Sequence, residues 1–136
     1  MAKLKLSRAE RKNFAVNGTT LTRYKGKGGE VIVPEGVTEI DSEVFAYRND
    51  ITSVKLPKSL EAIGERAFYK CQKLASVAFQ GGTRVIERKA FAYCTNLRNV
   101  TFPQKLEVIG EQAFLSCTKL TITFQDGLKA IGFQAF

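Results

Sequence analysis

A single hydrophobic pattern returns along the chain every 23 residues. Phe45, Phe68, Phe91, Phe114 and Phe136 are spaced 23, 23, 23 and 22 apart. Five positions before each stands an isoleucine: Ile40, Ile63, Ile86, Ile109 and Ile131. Eight before stand Val37, Leu60, Leu106 and Leu128, with Thr83 breaking the column, and six after come Ile51, Leu74, Leu97 and Leu120. The one short step has a visible cause: Leu97-Arg98-Asn99-Val100-Thr101-Phe102 becomes Leu120-Thr121-Ile122-Thr123-Phe124, one residue shorter. A period of this size means stacked units, because one such unit cannot bury its own apolar face.

Two extended segments recur in each unit. Leu74-Ala75-Ser76-Val77-Ala78-Phe79 and its counterpart from Leu97 read L-x-x-L-x-L, so Val77 and Phe79 share one side of a strand and Ala78 takes the other. Leu60-Glu61-Ala62-Ile63-Gly64 is shorter and ends on a glycine that recurs at Gly110 and Gly132. Between the two, Glu65 to Cys71 predicts one helical turn and no more, with Ala67 allowing close approach beside Phe68. Pro34, Pro57 and Pro103 fall at the turn after a strand, where a missing N–H is tolerated. The expected fold is mainly β: a right-handed solenoid of short parallel strands and single helical turns, with Phe45 to Phe136 as an interior ladder.

The first 30 residues depart from the period. Asn17-Gly18 predicts a two-residue hairpin turn, and Ser7 with Glu10 predicts a capping box that opens a brief helix over residues 8–13. The division expected is a basic arm and capping hairpin over 1–30, then a solenoid of about four and a half units over 31–136.

Charge sharpens that division. The net charge is +8, yet residues 1–30 carry eight Lys/Arg against two Glu, while residues 31–136 carry thirteen against eleven. The excess belongs to the first segment, which is expected to be a solvated, partly mobile terminus. Attachment of that arm to nucleic acid or to a membrane surface is the second functional expectation; the nearly balanced body argues against nucleic-acid binding there. No apolar run approaches the roughly 18 residues of a membrane-spanning helix. Met1 to Lys12 lacks the apolar segment of a secretory signal, which implies a cytoplasmic place if Met1 is the native start.

The chemistry legible in the sequence is sparse. There is no histidine, which excludes His-based triads and most zinc enzyme sites. Cys71, Cys94 and Cys117 stand one per unit and are expected to be free thiols filling a tight buried corner. Lys25-Gly26-Lys27-Gly28-Gly29 lacks the spacing of a phosphate-binding loop. Glu61, Glu65, Glu107 and Glu111 recur with the repeat and are expected to face solvent beside Lys or Arg. No catalytic residue, cofactor or metal site is expected, and the protein is not expected to be an enzyme.

A binding surface is expected instead. On the L-x-x-L-x-L strands the outward columns are Ser53, Ser76, Asn99 and Lys55, Ala78, Thr101: small, polar and approachable. Tyr47, Tyr69 and Tyr93 follow the Phe ladder by one or two places, and Arg66, Lys73, Lys89 and Lys119 add positive charge near the same turn. Tyrosine is favoured at interfaces. At the C-terminal end Phe133 replaces the Glu or Arg of Glu65, Arg88 and Glu111. Either the array continues in a longer parent, or this apolar end with Phe136 associates with a second copy.

Ile63-Gly64-Glu65-Arg66-Ala67-Phe68, followed by Cys71, Leu74 and Val77, resembles the BspA-type leucine-rich repeat of bacterial and some protist proteins. Tyr24, Gly26 and Gly29, then Val33-Pro34-Glu35-Gly36-Val37-Thr38-Glu39-Ile40, are similar to the way such arrays begin. The resemblance covers residues 31–136 closely and 14–30 loosely. It implies a curved solenoid, a cell-surface or secreted location, and a role in adhesion or in binding a host extracellular protein, with no catalytic residues.

Overall fold

The computed structural model describes residues 4–136. The chain winds through about five coils, and two columns of short strands run along the stack. After helix α1 (Arg8–Asn13), strands β1 (Phe14–Asn17) and β2 (Thr20–Tyr24) form an antiparallel hairpin. The strand β2 then pairs in parallel with β4 (Glu39–Ile40), which pairs with β6 (Ala62–Ile63), β8 (Val85–Ile86), β10 (Val108–Ile109) and β12 (Ala130–Ile131) in turn. The second column comprises β3 (Gly29–Ile32), β5 (Ile51–Lys55) and β7 (Ser76–Ala78), then β9 (Asn99–Thr101) with β11 (Thr121–Thr123). Registers match the repeat: Ile40 opposes Ile63, Ile63 opposes Ile86, and Val54 opposes Val77. Between β7 and β9 the ladder is thin, carried by the Arg98 N–H donating to the Ala75 carbonyl at 3.1 Å.

The phenylalanines stack as the spacing predicts. Phe45, Phe68, Phe91 and Phe114 are at most 1% exposed, with centroid separations of 4.8, 4.9 and 5.1 Å and near-parallel rings. The spacing is close to the separation of paired strands, so each ring covers the next at van der Waals contact. Phe136 extends the ladder at 5.5 Å. At the other end Tyr24 closes it, 5.2 Å from Phe45, and Phe14 lies behind Tyr24.

The segment after each short strand is not a helical turn, and here the sequence expectation is corrected. Ala67 N–H donates to Gly64, Tyr69 to Arg66, Cys71 to Phe68 and Leu74 to Cys71, a run of β-turns rather than α-helical bonding. The N–H groups between them are spent along the stack: Arg66 donates to Arg88, Phe68 to Ala90 and Lys70 to Ala92, at 2.7–3.0 Å. A helix would use those donors internally and leave this segment without bonds to the next coil. The conformation places nine non-glycine residues in the left-handed region, with φ of 52–64°, among them Tyr47, Arg66, Lys70 and Tyr93. Each costs about 1 kcal/mol or more relative to ordinary backbone, which the inter-coil bonds and the ladder offset.

The N-terminal cap follows its sequence cues. The Ser7 hydroxyl accepts from the Glu10 N–H, and the Glu10 carboxylate accepts from the Ser7 N–H, a complete capping box. The hairpin turn forms one place later than the Asn17-Gly18 expectation: Asn17 pairs with Thr20, and the loop residues are Gly18, with φ of +64°, and Thr19, the pattern of a type II′ turn. The expectation of a mobile arm does not hold from Leu4 onward: Leu4 and Leu6 pack against the core, and Lys25 N–H donates to Asn13. Alternating apolar residues at 4 and 6 hold the segment down while Lys5, Arg8, Arg11 and Lys12 stay exposed. Met1 to Lys3 lie outside the described residues.

Candidate functional site

The chain's cysteines are part of the packing. Cys71, Cys94 and Cys117 are free, and each thiol donates to the carbonyl of the preceding coil's phenylalanine, Phe45, Phe68 and Phe91, at 3.0–3.1 Å. Burial pushes the Cys71 thiol up to about 12 and raises Cys94 as well, so neither offers a thiolate nucleophile near neutral pH. In the first coil Arg48 takes the cysteine's place. Its guanidinium bonds Asp50 at 2.8 Å and the Gly26 carbonyl at 2.7 Å and lies 4.7 Å from the Tyr24 ring centre. Its pKa is raised, first by the Asp50 hydrogen bond. Arg48 thus ties the N-terminal cap to the first coil, a role the sequence did not signal.

Among the described residues no three His, Cys, Asp or Glu converge closely enough to hold a metal ion, and no helix is long and apolar enough to cross a membrane. Of the recurring carboxylates, Glu107, Glu65 and Glu111 pair between coils (Arg84–Glu107 at 3.0 Å, Lys129–Glu107 at 2.7 Å, Arg88–Glu65 at 3.2 Å and Arg88–Glu111 at 3.9 Å), while Glu61 is exposed without an ion pair among the described residues. The hydrogen bonds from Lys129 and Arg84 hold the Glu107 carboxyl below its usual range.

What the fold does assemble is an aromatic corner. Tyr47 and Tyr93 occupy the left-handed position two places after their Phe, whereas Tyr69 sits one place after Phe68. The offset staggers the rings, so Tyr47–Tyr69 and Tyr69–Tyr93 meet edge to face at 5.6 and 5.7 Å. Lys70 holds the position that Tyr47 and Tyr93 hold in their own coils. Its ammonium lies 6.0, 5.5 and 5.7 Å from the three ring centres, and Arg66 stands 5.7 Å from Tyr69. Tyr47 is 61% exposed, and Tyr69 and Tyr93 are half-buried. Among the described residues none of the three phenol hydroxyls has a hydrogen-bond partner. The corner presents rigid rings with free hydroxyls around a cation, a composition suited to contact with another macromolecule.

The strand face is present as well. Lys55, Ser76, Asn99 and Thr101 are exposed and Ser53 is half-buried. Ser53 opposes Ser76 and Lys55 opposes Ala78, while Asn99 and Thr101 oppose Thr121 and Thr123. The structure therefore lengthens both columns at the C-terminal end and adds Ile32, 56% exposed, opposite Lys55. Lys70 was missed because at its position other coils carry Tyr or Ser, and Thr121 and Thr123 because the shorter last step takes them out of the 23-residue spacing. In the last coil Phe133, Ile131, Phe124 and Phe136 are 72%, 52%, 48% and 46% exposed.

Comparison with known proteins places this geometry. Residues 23–136 match the profile of the BspA type leucine rich repeat region, in six copies. A crystal structure of a T. pallidum leucine rich repeat protein is 36% identical, with a TM-score of 0.84, over 86% of this chain and 57% of that one. A leucine rich cell surface protein from Faecalibacterium prausnitzii is 27% identical, with a TM-score of 0.65, over 90% of this chain and 43% of that one. A leucine-rich repeat protein from Bacteroides capillosus is 26% identical, with a TM-score of 0.61, over 82% of this chain and 85% of that one. The chain thus spans less than two thirds of the first two proteins. No curated protein matches it.

Proposed function

Because the chain belongs to the BspA-type leucine-rich repeat family, we propose that it is a non-catalytic protein-binding module of an adhesive or scaffolding kind, used at the cell surface or after secretion. Proteins of this bacterial surface type are generally interaction modules. The reading rests on one observation above all: three tyrosine rings locked edge to face around Lys70 with their hydroxyls unused. Aromatic anchors that are held rigid before binding lose little entropy when a partner arrives. The polar columns Ser53, Ser76, Asn99 and Lys55, Thr101 add a shallow second surface. A surface location is supported by the description of the F. prausnitzii relative as a cell surface protein. A host extracellular protein is the partner proposed.

The double variant Tyr69→Ala/Tyr93→Ala is expected to lose at least tenfold in affinity for a partner captured from host extracellular matrix proteins, with a melting temperature within a few degrees of wild type. That loss corresponds to about 1.4 kcal/mol or more. Unchanged capture, or a collapse of stability with capture intact, would remove the tyrosine corner from the account.

A further inference from the structure

The third coil lacks the corner that its neighbours have. Pro57-Lys58-Ser59-Leu60 and Pro103-Gln104-Lys105-Leu106 are replaced there by Gln80-Gly81-Gly82-Thr83. A groove of about 630 Å³ runs past this corner, lined by Gly82, by Lys58, Arg84, Lys105 and Lys129 and by the carboxylates Glu61 and Glu107. We propose that this groove binds a tetrahedral oxoanion, a sulfate or phosphate group, at the Gly81-Gly82 corner.

Three features converge on it. The first is the main chain. A Cβ on Gly82 would lie 2.1 Å from the Lys58 carbonyl oxygen, so glycine is required there and the backbone itself forms the floor. The Gly81 and Gly82 N–H groups have no acceptor among the described residues. Of the equivalent amides, Lys58 N–H is taken by Glu35 at 3.3 Å and Gly36 N–H by Ser59 at 2.9 Å, while those of Ser59, Gln104 and Lys105 are likewise without an acceptor among the described residues. The second feature is the opened turn. Leu60 and Leu106 donate to Pro57 and Pro103, but Thr83 makes no such bond to Gln80. Gly81, at φ of +125°, has nothing within 4 Å of where a side chain would begin. Successive uncovered amides at a glycine turn form a concave anion-binding surface.

The third feature is charge. Arg84 and Lys129 share one carboxylate, that of Glu107. Lys58 and Lys105, from the coils on either side of the notch, have no ion-pair partner among the described residues. Two free ammonium groups and two free amides match the several acceptor oxygens of sulfate or phosphate. The anion can be free in solution or an ester carried on a polymer such as a sulfated glycan; the recognition chemistry is the same.

The test is a titration of the 15N-labelled protein with sodium sulfate, with sodium chloride at matched ionic strength as reference, because screening alone moves surface charges. Saturable shifts of the Gly81 and Gly82 amides are expected with sulfate and not with chloride. Lys58→Ala/Lys105→Ala, at two exposed positions, is expected to weaken that binding at least tenfold, whereas Lys12→Ala/Lys27→Ala removes equal charge elsewhere and leaves it unchanged. A heparin-derived oligosaccharide in a parallel arm distinguishes the sources. Much tighter binding at the same amides identifies a polymer-borne ester, and equal affinity per sulfate identifies the free anion. Linear shifts, an equal response to chloride, or full affinity in Lys58→Ala/Lys105→Ala would overturn the proposal.

Discussion

Phe91→Ala is expected to destabilise the protein by about 3–5 kcal/mol, the usual cost of truncating a fully buried phenylalanine. On a chain of this size that is a fall in melting temperature of roughly 10–20 °C. Phe91 is fully buried, stacked 4.9 Å from Phe68 and 5.1 Å from Phe114, and its removal breaks the ladder at its middle. Coils in a solenoid are coupled only to their neighbours, so the two halves should uncouple as well as weaken. Phe136→Ala is the internal comparison. That ring is 46% exposed, with a ladder neighbour on one side only and Phe124 edge-on at 6.0 Å, so its loss should cost well under half as much. Thermal melts of both variants check the gradient. Equal costs, or a Phe91→Ala melt like that of wild type, would mean the rings do not form one continuous interior.

Gly110→Ala is expected to cost on the order of 1–3 kcal/mol, the range for forcing extra volume into a packed structure. The reason is contact with backbone, not conformational freedom. A Cβ at Gly110 would lie 2.7 Å from the Arg88 nitrogen and from the Glu87 carbonyl carbon, and main-chain atoms cannot swing aside. The coils would have to spread, stretching the 2.7 Å bond from the Gly110 N–H to the Ile86 carbonyl. Glu87 occupies the same position one coil earlier and is exposed, so Glu87→Ala should change stability by less than about 0.5 kcal/mol. Denaturant unfolding of the pair checks the contrast. A Gly110→Ala variant as stable as wild type would show that the coils sit farther apart than described.

Both expectations rest on the period, which was legible because every coil repeats the same burial problem. The Phe, Ile and Cys columns, the parallel registers and the cap hairpin all follow from apolar spacing and a few turn residues. The helical turn was misread for a specific reason. Ala67-Phe68 followed by Cys71 has the three- and four-residue spacing of a helix face, and the left-handed turns that replace it use Arg66, Lys70, Tyr47 and Tyr93 where glycine would have announced them. Side-chain periodicity cannot tell where a coil's N–H groups go when the alternative acceptor lies a full coil away.

The candidate site was legible in part for a similar reason. Tyr47, Tyr69 and Tyr93 and their one-place stagger were visible beside the ladder, but that the stagger brings the rings edge to face is seen only in the fold. Lys70 gave no column signal, yet it is the cation all three rings share. Arg48 breaks the cysteine column for a purpose visible only once Gly26 and Tyr24 are seen beside it. The basic first segment looked like a free arm because charge dominates it. Two leucines, Leu4 and Leu6, are enough to dock it on the core.

Amide hydrogen exchange, followed residue by residue, tests the stacking of coils most directly. The Phe45, Phe68, Phe91 and Phe114 N–H groups donate to Ala67, Ala90, Ala113 and Ala135 of the following coil at 2.7–2.8 Å. All four should exchange far more slowly than the amides of helix α1, with Phe68 and Phe91 slowest because coils pack on both sides of them. Rapid exchange at those four amides would mean that successive turns are not bonded to one another, and neither the aromatic ladder nor the tyrosine corner built on it could stand.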